Sequence, residues 1–194
     1  MNSVYVVLMS ALRYYIREVI SEVTRKSATR KLRVFDFDDT LVKSHSRVLV
    51  TTAAGKSFYL TAGEYAVYEP QSGDKFDYSE FSKVIDPEEI VWTGKILRNV
   101  TASGSEAVIL TARAEAQPIS EFLSDAGIPP IEVIALASSD PQKKADYIAS
   151  RIENDGIDYV EFFDDSHKNI DAVKSLRMRY PDVKVVVRHV VEAV

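Results

Sequence analysis

The chain has no cysteine. Disulfides, thiolate-held zinc and cysteine nucleophiles are therefore excluded, and the composition suits a reducing, cytoplasmic compartment. No apolar run approaches the roughly 18 residues a membrane-spanning helix needs, so no membrane partner is expected. The N-terminus lacks a basic start followed by a small-residue cleavage site, which argues against a secretory signal. There is no internal repeat and no low-complexity tract. Positive charge is also scarce: 24 Lys and Arg stand against 29 Asp and Glu, a net charge of -5. Bulk attraction to nucleic acid or an anionic membrane is thereby excluded, but not a phosphorylated substrate held by a few local cations.

What is present is an ordinary globular balance, 46% hydrophobic and 27% charged over 194 residues. That is enough for one domain with a real core and a small insert. Residues 3 to 24 carry Val4, Leu8, Leu12, Tyr15, Ile16, Val19, Ile20 and Val23 on one helical stripe, with Arg13, Arg17, Glu18 and Glu22 on the other side. The first 28 residues therefore read as an amphipathic helix, which packs on the domain's flank or serves docking or dimerisation. Arg25, Lys26, Arg30, Lys31 and Arg33 follow as a basic linker.

The stretch Val34-Phe35-Asp36-Phe37-Asp38-Asp39-Thr40-Leu41 is an apolar strand ending in three carboxylates. Such charges repel one another at the edge of a core, and the simplest remedy is a hard divalent cation with oxygen ligands, Mg2+ above all. Residues 42 to 92 read as an insert: a hairpin from Val48–Thr52 and Phe58–Thr61, a turn at 70–74, a helical turn within 77–83, and a helix start at Asp86-Pro87-Glu88-Glu89. Its aromatics, Phe58, Tyr59, Tyr65, Tyr68, Phe76, Tyr78, Phe81 and Trp92, supply a small core.

Beyond residue 93 the pattern alternates. Helices are expected at 94–102, 115–125, 141–152 and 168–180, and strands at 107–110, 131–136, 159–163 and 183–187. This predicts an α/β fold, a Rossmann-like parallel sheet of about five strands with helices on both faces, spanning residues 29 to 194. In such a sheet all strands end on one edge. That edge collects Asp36, Asp38 and Asp39 from the first strand, Thr111 and Arg113 from the second, and Asp164 and Asp165 from the fourth. Lys143 and Lys144 stand at the start of the helix before the fourth strand.

Four segments resemble the motifs of the haloacid dehalogenase (HAD) superfamily. Phe35-Asp36-Phe37-Asp38-Asp39-Thr40-Leu41 is similar to motif I, Val108-Ile109-Leu110-Thr111-Ala112-Arg113 to motif II, the lysine pair to motif III and Phe162-Phe163-Asp164-Asp165 to motif IV. They occur in the family's order across residues 32 to 188.

The resemblance implies a Mg2+-dependent phosphomonoester hydrolase. Asp36 would be the nucleophile that forms an aspartyl-phosphate, and Asp38 the general acid and base. Mg2+ would be held by Asp36, the main-chain carbonyl of Asp38, Asp164 and Asp165, and Thr111 would bind the phosphoryl group. Lys144 leans toward the buried face of its helix and is preferred over Lys143 as the motif III lysine. Further expectations are Arg113 on the substrate, Asn169 behind the metal carboxylates, Thr40 orienting Asp38 or the loop, Asp39 capping or bracing the turn and His45 near the substrate. His167 and His189 are read as surface or packing residues. The short insert implies a hairpin flap with a small cap, open enough for a small molecule or a phosphorylated nucleic-acid end. A non-catalytic phosphate-binding protein and a receiver-like signalling domain are the competing readings.

Overall fold

A computed structural model describes residues 12–18 and 29–191. The chain divides into two units, the first ending at Arg30 and the second beginning at Lys31. In the first, residues 12–18 are helical (α1), with the Tyr14 hydroxyl donating to Glu18 one turn on at 3.1 Å. The rest of the expected helix over 3–24 lies outside the described residues. Among the described residues no helix is long and apolar enough to cross a membrane.

The second unit is built on five parallel strands: β1 (Lys31–Phe35), β7 (Ala107–Thr111), β8 (Glu132–Ala135), β9 (Tyr159–Asp164) and β10 (Lys184–His189), in the order β10-β9-β1-β7-β8. Four helices run between them: α3 (Val91–Ala102), α4 (Gln117–Asp125), α5 (Pro141–Asp155) and α6 (His167–Arg179). Both sheet faces are apolar because the strands alternate. Leu32, Val34, Val160 and Phe162 pack with Ile148 and Ile152 of α5 and Val173 of α6. Phe35, Ile109 and Phe163 pack on the opposite face with Leu97 of α3 and Ile119 and Leu123 of α4. The chain winds outward from β1 through β7 and β8, then crosses back to β9 and β10. The reversal falls between β1 and β9, the topological switch point where open α/β sheets leave a crevice.

Between β1 and α3 lie two small sheets. β3 (Arg47–Thr51) pairs antiparallel with β4 (Ser57–Thr61) and with β5 (Lys75–Asp77). β2 (Val42–Lys43) pairs with β6 (Glu88–Glu89). A six-residue helix, α2 (Ala62–Val67), starts from a capping box in which Thr61 and Glu64 satisfy each other's backbone N–H groups. A 3-10 turn covers Ser79–Ser82. The aromatics make a local core, with Tyr65 edge-on to Phe76 at 5.7 Å and Phe58 edge-on to Tyr68 at 6.0 Å. Trp92 is an exception, 6.3 Å from Phe163 of the large sheet.

One element departs from the sequence pattern. Asp86-Pro87-Glu88-Glu89 does not start a helix. Asp86 is in the left-handed region (φ 42) and Glu88 and Glu89 form β6 against Lys43 and Val42. Pairing with β2 satisfies their backbone groups, and the helix begins at Val91, where Thr93 donates its hydroxyl to the carbonyl of Ile90 at 3.0 Å. A non-local strand partner has overridden a local capping signal.

Candidate metal and phosphate site

Register brings the acidic residues together. Phe35 of β1 stands beside Phe163 of β9, their rings stacked at 4.5 Å. The next residue of each strand is therefore an aspartate beside an aspartate. The ladder continues one step, with Asp36 N–H donating to the Phe163 carbonyl at 2.9 Å. Asp36, Asp164 and Asp165 each offer a carboxylate oxygen, and these oxygens lie within 4.8 Å of one another. Such a set can hold a metal ion, and its all-oxygen chemistry suits a hard cation.

Lys144 enters this cluster from the second turn of α5. It is 3% exposed, and its Nζ is 2.8 Å from Asp36 Oδ1 and 2.8 Å from Asp164 Oδ2. Lys143 is exposed. Asp164 is held by two further donors: Asn169 Nδ2 donates to Oδ1 and Oδ2 at 2.9 and 3.1 Å, and Ser166 N–H to Oδ1 at 2.9 Å. Thr40 donates to Asp165 Oδ1 at 3.2 Å, so this threonine orients Asp165. Asp39 stands in the left-handed region (φ 53) and its N–H donates to the Val42 carbonyl at 2.8 Å, closing the turn. His189 Nε2 donates to the Asp165 carbonyl at 2.7 Å, and His167 stacks on His189 at 3.9 Å.

Three carboxylates face one ammonium, and the charges respond. Burial, together with Asp164 and Asp165, raises Asp36 well above the carboxylate range, although Lys144 opposes the shift. Burial and the charges of Asp164 and Asp39 push Asp165 up to about 6. Burial disfavours the charge on Lys144, but Asp36 and Asp164 outweigh it and hold the ammonium above the ordinary lysine range. Crowding and burial make ionisation of Asp36 and Asp165 unfavourable, and a divalent cation between them would relieve that cost.

Asp38 points into a second assembly. Arg113, 4% exposed, donates from Nε to Asp38 Oδ2 at 2.9 Å and from Nη2 to Oδ1 at 2.7 Å. This is the two-pronged pairing that suits a guanidinium and a carboxylate. Ser44 donates to the same Oδ1 at 2.7 Å. The remaining nitrogen, Nη1, donates to the carbonyls of Phe81 and Lys83 at 3.1 and 2.6 Å. The rings of Phe37 and Phe81 lie 5.4 and 4.9 Å from the guanidinium carbon. Arg113 thus fastens the segment before β6 to Asp38. Thr111 is buried at the end of β7, its hydroxyl accepting from Arg113 N–H at 3.2 Å. His45 is exposed, its Nδ1 donating to the Asp86 carbonyl at 2.9 Å.

Asp38 and Arg113 also line a cavity of about 460 Å³. Tyr65, Tyr78 and Phe81 line it from one side, and Ala112, Ser138 and Ser139 from the loops after β7 and β8. The Tyr65 and Tyr78 hydroxyls are 2.6 Å apart. Burial and then that hydrogen bond raise the Tyr78 phenol above its ordinary range.

Ser44 and the cavity residues are additions to the sequence reading. Ser44 carries no motif. Tyr65 and Tyr78 pack on Phe76 as core aromatics do, and only their place in the lining of the cavity shared with Asp38 distinguishes them. Compared with known proteins, the chain matches no family model and no curated protein.

Proposed function

We propose that the chain is a Mg2+-dependent phosphomonoester hydrolase whose nucleophile is Asp36. The observation that carries this reading is the meeting of Asp36, Asp164, Asp165 and Lys144 at the switch point of the sheet, with Asp38 two residues along the chain from Asp36. The resemblance of four segments to HAD motifs supports it, and so does their convergence on one sheet edge.

Asp36, Asp164 and Asp165 would hold Mg2+. Asp38 would join through its main-chain carbonyl, since its side chain is committed to Arg113. The bound ion supplies charge neutralisation, so that a carboxylate and a phosphate can approach. In the first half-reaction an Asp36 oxygen attacks phosphorus, the ester P–O bond breaks, and the departing alkoxide takes a proton from Asp38. In the second, Asp38 takes a proton from water, whose oxygen attacks phosphorus. The P–O bond to Asp36 then breaks, releasing inorganic phosphate and restoring the carboxylate. Thr111 donates its hydroxyl to a phosphoryl oxygen, and Lys144 balances charge on Asp36 through the cycle.

The Arg113 clasp bears on the first step. Both Asp38 oxygens accept hydrogen bonds here, the arrangement of a base. For Asp38 to donate, one Arg113 bond must open as substrate enters. The segment of residues 42–90 would act as a flap and small cap, since the clasp reaches it through the Phe81 and Lys83 carbonyls.

The test is turnover of p-nitrophenyl phosphate with Mg2+. Asp36→Asn is expected to lower kcat by at least about 10^3-fold, as loss of a nucleophile does. Undiminished turnover in that variant would overturn the assignment.

A further inference from the structure

The cavity beyond Asp38 is large enough to be a ligand site, since small-molecule sites span roughly 300–1,000 Å³. At about 460 Å³ it exceeds what a phosphoryl group requires. Asp38 is among its lining residues, so a group in the cavity is within reach of the residue that would protonate a leaving group. Three features of the lining restrict the occupant. The rings of Tyr65, Tyr78 and Phe81 offer faces and edges to a planar aromatic group. Ser79, Ser82, Ser138 and Ser139 bring hydroxyls that can donate to or accept from a hydroxylated ring. Among the described lining residues Arg113 is the one cation, and its three nitrogens are committed to Asp38, Ser44 and two carbonyls. The other charges there are the carboxylates of Asp38 and Glu115.

A second phosphate in this cavity would meet a lining in which two carboxylates outnumber the one cation, Arg113. An aliphatic leaving group such as glycerol would leave the rings uncovered. A planar base attached to a hydroxylated sugar satisfies both walls, because bases stack on aromatic side chains whatever their identity. We infer that the cavity is the leaving-group site and that it takes the nucleoside of a nucleoside monophosphate. The inference rests on the phosphatase reading above for the direction of the leaving group. It also disfavours a polynucleotide end, whose neighbouring phosphates would need more than the one cation that lines the cavity.

The experiment uses the full chain with Mg2+. Adenosine and thymidine monophosphates are compared with glycerol phosphate, phosphotyrosine and an end-phosphorylated oligonucleotide. The nucleoside monophosphates are expected to have KM values at least about tenfold below that of glycerol phosphate. Tyr65→Ala and Tyr78→Ala should collapse that ratio, while Tyr65→Phe, which keeps the ring, preserves it. In parallel, adenosine monophosphate is titrated calorimetrically into the Asp36→Asn variant, and saturable binding that weakens in the Asp36→Asn, Tyr65→Ala double variant is expected. Equal KM values for glycerol phosphate and the nucleotides, or a preference for phosphotyrosine or the oligonucleotide, would overturn the inference and leave the phosphatase reading standing. Nucleotide binding without turnover of any phosphomonoester would support the cavity and sink the phosphatase reading.

Discussion

At the scale of single residues, removing one partner of a buried ion pair costs more than the intact pair contributes, because the survivor is left charged and dry. Arg113→Ala strips Asp38 of both guanidinium bonds and two carbonyls of their donor. A loss of about 3–5 kcal/mol of unfolding free energy is expected in urea denaturation. Arg113→Lys should recover only part of it, because an ammonium cannot span the same fork. Asp165 makes a pH prediction. Its folded value of about 6 lies above the ordinary 3.8, so the folded state binds this proton more tightly than the unfolded chain. In metal-free protein its contribution therefore falls as pH rises from about 4 through about 6. Asp36, also raised, acts in the same direction. Mg2+ binds the ionised forms, so the Tm difference between Mg2+ and EDTA samples should widen as pH rises through that window. A difference independent of pH would show that these carboxylates do not hold the ion.

At the scale of elements, α5 positions Lys144. Asp140 caps it, accepting from Gln142 N–H at 3.0 Å, Pro141 occupies the first turn, and Gly156 ends it with φ 64. The helix start at Pro141 was legible in the chain order, since Pro before a periodic run is a local signal. So was the bias of Lys144 toward the buried face, because it lies one turn before Ile148. Asp140→Ala should cost about 1 kcal/mol in urea denaturation, with Asp140→Ser restoring most of it. The same local logic misled at Asp86-Pro87, where pairing of Glu88 and Glu89 with β2 decides the conformation. A two-residue strand has no periodicity of its own, and its partner lies more than 40 residues away.

At the scale of the whole molecule, the chain divides at Arg30, and β1 begins at Lys31. A chain starting at residue 29 is expected to melt cooperatively at the full-length midpoint and to retain phosphomonoester turnover. An unfolded product would show that the preceding residues complete the core. The sequence alone determined the alternation of strands and helices and the Asp or Thr at the ends of β1, β7 and β9, because hydrophobic period and turn chemistry act within a few residues. It placed carboxylates on one edge of a parallel sheet, because parallel strands end together. Only the tertiary structure decided which of them meet. The register of β1 against β9 sets Asp36 beside Asp164, while Asp38 turns away to Arg113. Arg113 pairs with that carboxylate and reaches the Phe81 and Lys83 carbonyls while lining the cavity, and Tyr65 and Tyr78 pack on Phe76 and line the same cavity. Register, ion pairing and cavities arise between residues far apart in the chain, so no local pattern encodes them.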